Sequence, residues 1–452
     1  MARLAAATLT FPPDFLWGTA TSSHQVEGNN INNDWWAFEQ QSGRILENGR
    51  SALACNWWAN AEADLDSAAE MGTNAHRLSL EWSRIEPEPS VFDLAALDRY
   101  REILHAMHDR GIEPMVTLHH FSNPRWLVEK GDFNSDFVVD YFQRYTQRVV
   151  ESLGDLVPKW VTINEPLVYV FLRYLAGEFP PPSQPGWQGA RQALVNLMRC
   201  HAAAYHTIKQ HSPQAFAGIA KNMPVFEARP GSSAAARWWA GRVNFLFNEA
   251  WMQAMVTGKV PRPFGRGTIP HLAGSFDFLG INYYTRFYVN FPPRSPLVAD
   301  TWEPDAVVSD GGYGEVYPYG LYQGIRSSVR FGKPIYITEN GIPDRADALR
   351  PGFILDHLRQ IWHALTFCFP VHGYYHWSLV DNFEWDRGWT QRFGLIEMDP
   401  QTQARHWRPS GNLYREICHS GSINSDMVAR YAPELEGVLF PGRSPALPAQ
   451  LL

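Results

Sequence analysis

Two glutamates in this chain close apolar runs that read as buried strands. Glu339 ends the run Pro334-Ile335-Tyr336-Ile337-Thr338-Glu339-Asn340-Gly341. Such short β-branched and aromatic runs suit strands buried on both faces, and the Asn-Gly that follows turns the chain away. Glu165 ends Lys159-Trp160-Val161-Thr162-Ile163-Asn164-Glu165, and Pro166 stops the strand. A carboxylate at a buried rim is costly to desolvate unless hydrogen bonds or a cation support it. One such residue alone reads as a cap or an ion-pair partner. Two facing each other across a cleft are what glycosidic bond cleavage requires: one protonated to serve the leaving oxygen, one ionised to attack or stabilise the anomeric carbon.

The segments that must position this pair alternate in type. Strands are expected at 15–21, 74–80, 112–118, 159–164, 217–220, 276–281, in the run into Glu339, and at 373–379. Helices are expected near 60–71, 93–110 (with Asp93 as cap), 135–153, 188–211, 234–257, 319–331 and 355–369, and a polar loop at 22–28. Eight strands separated by helices have the spacing of a parallel closed (β/α)8 TIM barrel with extended βα loops. We expect one such domain over residues 1–452. A doubly wound open sheet finds no support, since no GxGxxG follows a strand. In a barrel the chemistry lies at the C-terminal strand ends, and these carry Gln25, Arg77, His120, Glu165, Asn282, Tyr284, Glu339, and Trp377 with Glu384.

Composition narrows the partner. The 452 residues carry a net charge of −7, 19% are charged, and there is no lysine or arginine run, which argues against a nucleic-acid surface or a basic membrane patch. A small neutral molecule fits better. Cys55, Cys200, Cys368 and Cys418 form no CxxC pair, so reduced thiols in a cytoplasmic protein are the simplest expectation. The apolar patch from Leu4 to Leu9 is too short for a signal-peptide core, and no later run reaches membrane-spanning length. Aromatic residues make up 14% of the chain, with 18 tryptophans; most must be core, but a Trp beside polar residues at a strand end suits a sugar's C–H face.

In chain order the motifs FLWGTATSSHQVEG, HRLSLEWSR, TLHHF, TINEP, LGINYY, ITENG and WSLVDNFEWDRGW, with RFGL after it, resemble the glycoside hydrolase family one β-glycosidases over residues 11 to about 420. That resemblance implies a retaining β-glucosidase on a (β/α)8 barrel, acting without cofactor or metal on a small β-glycoside. It implies Glu165 as acid/base and Glu339 as nucleophile, closing the fourth and seventh strands. Arg77 and Tyr284 would keep Glu339 ionised, Asn282 would support the nucleophile side, and a dry site near an anion would keep Glu165 protonated. Gln25, His120, Asn164, Glu384 and Trp385 match the sugar-hydroxyl contacts, and Trp377 the stacking platform. His119 beside His120 is not expected to form a metal pair, because neighbours on a strand face opposite ways.

The chain also departs from the family pattern. Phe121 stands where a tryptophan often follows the second His, and Tyr313-Gly314-Glu315-Val316 stands where many members carry Gly-Trp. Both bear on aglycone preference, and Trp302 is a candidate replacement ring. Residues 425–452 extend past the family's usual end and could pack on the barrel, mediate assembly or be loose. The sequence carries no mark of oligomeric state. Among rival functions, phosphosugar cleavage conflicts with a glutamate at 384, where the phospho-specific members carry serine. A non-catalytic sugar-binding protein conflicts with the presence of both glutamates. A mainly transglycosylating enzyme stays open, since hydrolysis and transfer share one intermediate.

Overall fold

The computed structural model describes residues 7–180, 186–293, 298–299, 302–303 and 305–441. Eight parallel strands close into a barrel: β1 (Leu16–Ala20), β2 (Ala75–Ser79), β3 (Glu113–His119), β4 (Lys159–Asn164), β5 (Phe216–Asn222), β6 (Phe278–Tyr283), β7 (Ile335–Asn340) and β8 (Val371–Trp377), with β8 pairing back onto β1. Helices α1 (Trp57–Glu70), α2 (Leu94–Asp109), α3 (Val138–Leu153), α4 (Trp187–His211), α5 (Ala234–Asn244), α6 (Ala250–Thr257), α7 (Tyr319–Ser328) and α8 (Arg350–Thr366) fill the connections. The expected (β/α)8 barrel is the fold.

Local chemistry accounts for the differences in detail. The expected helix over 234–257 is two helices joined by a π-helical turn at Phe245–Glu249. The expected loop at 22–28 contains a buried helical turn, Ser23–Val26. Helix α8 starts at Arg350, before the expected 355, because Pro351 occupies the first turn, where its missing N–H is no loss. Asp93 caps α2 as expected, accepting from the Ala96 amide at 3.1 Å. Strands β5 and β6 run two residues beyond their expected ends, to Asn222 and Tyr283.

The barrel interior is plugged by one or two residues from every strand: Ala20, Ala75, Met115, Val161, Ala220, Phe278, Tyr336, Tyr375 and Trp377. Above this plug the pairing of β7 with β6 slips between Ile337 and Glu339. Strict alternation would send Glu339 to the opposite face from Tyr336; the extra residue, Thr338, re-aims it inward, a use of bulges beside active sites. Gly341 does not adopt a left-handed turn. A Cβ there would meet the Trp377 carbonyl oxygen at 1.8 Å, so glycine is needed for close approach to β8.

Ser422–Asn424 pairs antiparallel with Thr8–Thr10 and leads into the helix Ser425–Tyr431. Met427, Val428, Leu439 and Phe440 join the apolar layer between the barrel and its helices. The described part of the C-terminal extension thus packs against the barrel, and residues 442–452 lie outside the described residues. Among the described residues no helix is long and apolar enough to cross a membrane.

Candidate active site

Glu339 meets a cation and a phenol. Arg77 Nη1 lies 2.5 Å from Glu339 Oε1, and the Tyr284 hydroxyl donates to Oε2 at 2.6 Å. Arg77 is held by three further bonds: Nε to Thr117 Oγ1 (3.0 Å), Nη2 to Asn164 Oδ1 (2.7 Å) and Nη1 to the Thr338 carbonyl (3.3 Å). Burial raises the Glu339 carboxyl above its ordinary range, while Arg77, Tyr284 and Asn282 pull it down. A guanidinium does not give up its proton in a protein, and neutralising Glu339 would leave that buried cation without its anion. The ionised carboxylate is therefore the state this environment holds.

Glu165 has a different shell. Its Oε1 accepts from Asn282 Nδ2 (2.8 Å) and Asn222 Nδ2 (3.0 Å). Burial first, and then the charge of Glu339, push its carboxyl up to about 7, against the pull of the two amides and Lys221. The residue stands at φ +43° before Pro166, a left-handed conformation that costs a non-glycine residue about 1–3 kcal/mol and is tolerated at functional sites. The two carboxyls, one paired with a cation and one raised toward neutrality, are the division that acid and nucleophile roles need.

The polar groups expected to hold a sugar lie in the same bowl. Gln25 Nε2 donates to Glu384 Oε2 at 2.9 Å, and Asn382 Nδ2 donates to the same oxygen at 3.3 Å. Burial pushes Glu384 up to about 8. Asn164 uses its oxygen for Arg77 and Asn282, so its amide nitrogen faces His120 Nε2 at 3.0 Å. That nitrogen must then accept, which places the proton of the neutral imidazole on Nδ1; this buried atom has no protein partner. The His120 ring neighbours both Trp377 and Trp385, each ring centroid 6.0 Å away and the planes 29° and 25° from parallel.

Residues 7–422 match Glycosyl hydrolase family 1. The chain belongs to that family. It is 30% identical over 443 residues to β-glucosidase A of Thermotoga maritima, spanning 91% of this chain and 98% of that protein. It is 31% identical over 492 residues to a β-galactosidase of Sulfolobus acidocaldarius, spanning 93% and 97%. In structure it is similar to the β-glycosidase of Pyrococcus horikoshii, with TM-score 0.86 and 38% identity over 95% of this chain and 100% of that one. It is also similar to the Thermotoga maritima β-glucosidase in complex with glucoimidazole, with TM-score 0.85 and 30% identity over 91% and 99%. The protein is a retaining β-glycosidase, retention being general to family 1.

In this family 1 glycosidase every site residue singled out in the sequence except Trp302 falls in or beside the bowl. Asn282 was expected beside Glu339; its amide bonds go to Glu165 and Asn164, although it also lowers the Glu339 carboxyl. His119 turns away from His120, bonding Asn123 at 3.1 Å and packing on Phe133 and Tyr169. The described residues hold no group of side chains suited to a metal ion. Phe121, at φ +71°, packs on Trp385, Phe179 and Tyr169. The Trp302 ring contacts Phe287, on a small side sheet, rather than the rings around Glu339. Two residues are not singled out by the sequence: Asn222 at the end of β5 and Phe393 within the RFGL motif. Tyr313, marked in the sequence only as part of a departure bearing on aglycone preference, has its ring 5.9 Å from Tyr284 and 5.2 Å from Phe393.

Proposed function

We propose that this glycosidase hydrolyses non-reducing terminal, unphosphorylated β-D-glucosides, and β-D-fucosides and β-D-galactosides less well, with Glu339 as nucleophile and Glu165 as acid/base. The unequal shells of the two carboxyls carry this reading. In the first step a Glu339 carboxylate oxygen bonds to the anomeric carbon as the bond to the leaving oxygen breaks, and Glu165 gives that oxygen its proton. In the second, Glu165 takes a proton from water, whose oxygen displaces Glu339 and restores the β configuration. The other groups have positioning work: Arg77 and Tyr284 on the nucleophile, Asn282 on both carboxyls, Asn164 and His120 toward the sugar's 2- and 3-hydroxyls, Gln25, Glu384 and Trp385 toward the 4-hydroxyl, and Trp377 under the ring. One domain with a packed extension is supported by the shared apolar layer, and a reducing, cytoplasmic setting by four unpaired cysteines.

The test is a panel of 4-nitrophenyl β-glucoside, β-galactoside, β-fucoside and β-glucoside 6-phosphate, with proton NMR of the first-formed sugar. Glucoside should give the highest kcat/KM, the 6-phosphate none, and the β-anomer should appear first. An α-anomer first would remove Glu339 from the nucleophile role, and comparable kcat/KM for glucoside and its 6-phosphate would overturn the substrate assignment.

A further inference from the structure

Tyr313 sits on a loop pinned at several points. The Ser309 amide donates to the Gly314 carbonyl at 3.0 Å, the Gly314 amide donates to Ser309 Oγ at 3.0 Å, and the Thr285 hydroxyl donates to the Glu315 carbonyl at 2.9 Å. The Asp310 amide donates to the Pro343 carbonyl at 3.1 Å, which ties the loop to the segment just after Glu339. Arg286 grips Glu315 with Nε and Nη2 at 2.9 and 2.8 Å. Gly314 has no room for a side chain: its Cβ would meet Thr285 Cβ at 2.7 Å. An aromatic ring at 314 is excluded, and the loop presents its ring from 313 instead.

That ring is held edge-on by Tyr284, whose hydroxyl bonds Glu339, and by Phe393, which belongs to the interior cluster with Trp377. The Tyr313 hydroxyl itself has no hydrogen-bond partner among the described residues. Burial keeps it protonated, and the anions acting on it are, in decreasing order, Glu384, Glu165 and Glu339. It is therefore a free donor on a ring wedged between Tyr284, which bonds Glu339, and Phe393, which packs in the cluster of Trp377, on the side of the bowl that runs from the nucleophile toward Glu384. In a hexopyranose the group lying between C4 and the ring oxygen next to C1 is the CH2OH on C5. The other three hydroxyls already have partners in the arrangement proposed above.

We infer that the Tyr313 hydroxyl donates to the exocyclic 6-hydroxyl of the bound sugar and sets the preference for glucosides over 6-deoxy sugars. This rests on the β-glucosidase reading. A site that bonds a substrate hydroxyl discriminates against the analogue lacking it, and one neutral hydrogen bond of this kind is worth about a fivefold change in rate. The test compares kcat/KM for 4-nitrophenyl β-D-glucoside and its 6-deoxy analogue in the native enzyme and in Tyr313→Phe, which keeps the ring against Tyr284 and Phe393. The glucoside preference should fall about fivefold in the variant, because the glucoside loses rate and the 6-deoxy sugar does not lose it in proportion. An equal loss on both substrates, or an unchanged ratio, overturns the inference while the native enzyme still cleaves glucosides. Failure of the native enzyme to cleave any β-glucoside would instead overturn the reading beneath it.

Discussion

Arg77 Nη1 lies 2.5 Å from Glu339 Oε1, and both side chains are buried. This contact joins the second strand to the seventh across the barrel, and the other fork of the same guanidinium reaches Asn164 beside Glu165. One fixed cation thus orients both halves of the candidate machinery. Removing one partner of a buried ion pair leaves the other charge uncompensated, typically at 3–5 kcal/mol.

Arg77→Met should lower kcat/KM by roughly two to four orders of magnitude, about the rate equivalent of that penalty. Without the cation the Glu339 carboxyl rises further, so the acid limb of the pH–rate profile should move to higher pH. A variant with an unmoved acid limb would show that Arg77 does not govern the ionisation of Glu339.

Glu165→Ala should separate substrates by leaving group. Aryl glucosides with very acidic phenols need no proton and should keep most of their glycosylation rate, measured as kcat/KM, whereas alkyl glucosides should lose about 10²–10⁴-fold. Equal losses on both would argue against Glu165 as the acid. Glu339→Ala should abolish turnover of both, because no covalent intermediate can form.

The alkaline limb of kcat/KM should fall near the value of about 7 to which Glu165 is raised, since glycosylation needs it protonated and kcat/KM reports the free enzyme. Asn222 donates to Glu165 Oε1 and so favours the ionised form. Asn222→Ala should raise the Glu165 carboxyl and move the alkaline limb to higher pH. A limb that moves down or stays would place the controlling proton elsewhere.

The two glutamates were legible because each closes an apolar run, and the barrel because strand and helix patterns alternate. What pointed Glu339 inward was not legible: the Thr338 bulge is a pairing irregularity with β6 that leaves no mark in a single strand's pattern. Asn222 escaped because Lys221 looks like the charged end of an apolar strand. In the fold Lys221 is buried, its amine turned onto the Asn222 carbonyl and lying 4.5 Å over the Phe247 ring. Tyr313 stands out in the sequence only as a departure from the family pattern; the place of its ring beside Tyr284 and Phe393 depends on Gly314 and the pinned loop, contacts between segments far apart in the chain.

Glu384 supplies the last prediction, and here the structure changes the physical argument. An ionised carboxylate beside the sugar's far edge would repel a 6-phosphate by charge. Burial pushes Glu384 up to about 8, so at neutral pH it is mostly protonated and repulsion grows only as pH rises through that value. Rejection of a 6-phosphate at pH 6–7 then rests on the partners of Glu384: the Gln25 and Asn382 amides bring no cation to balance a dianion. Glu384→Ser should cut kcat/KM for glucosides severely, because contacts that strengthen in the transition state are lost, without creating turnover of glucoside 6-phosphate. Glu384→Gln keeps the shape and removes the titration. The folded value of about 8 lies above the unfolded one of about 4.3, so the contribution of Glu384 to stability is present below pH 4 and fades as pH rises toward 8. Between pH 5 and pH 9 the melting temperature of the native enzyme should therefore fall relative to that of Glu384→Gln, by the equivalent of at most a few kcal/mol. Parallel melting curves across that range would show that Glu384 ionises in the folded protein as readily as in the unfolded chain, and the neutral-carboxyl account of sugar recognition would fail.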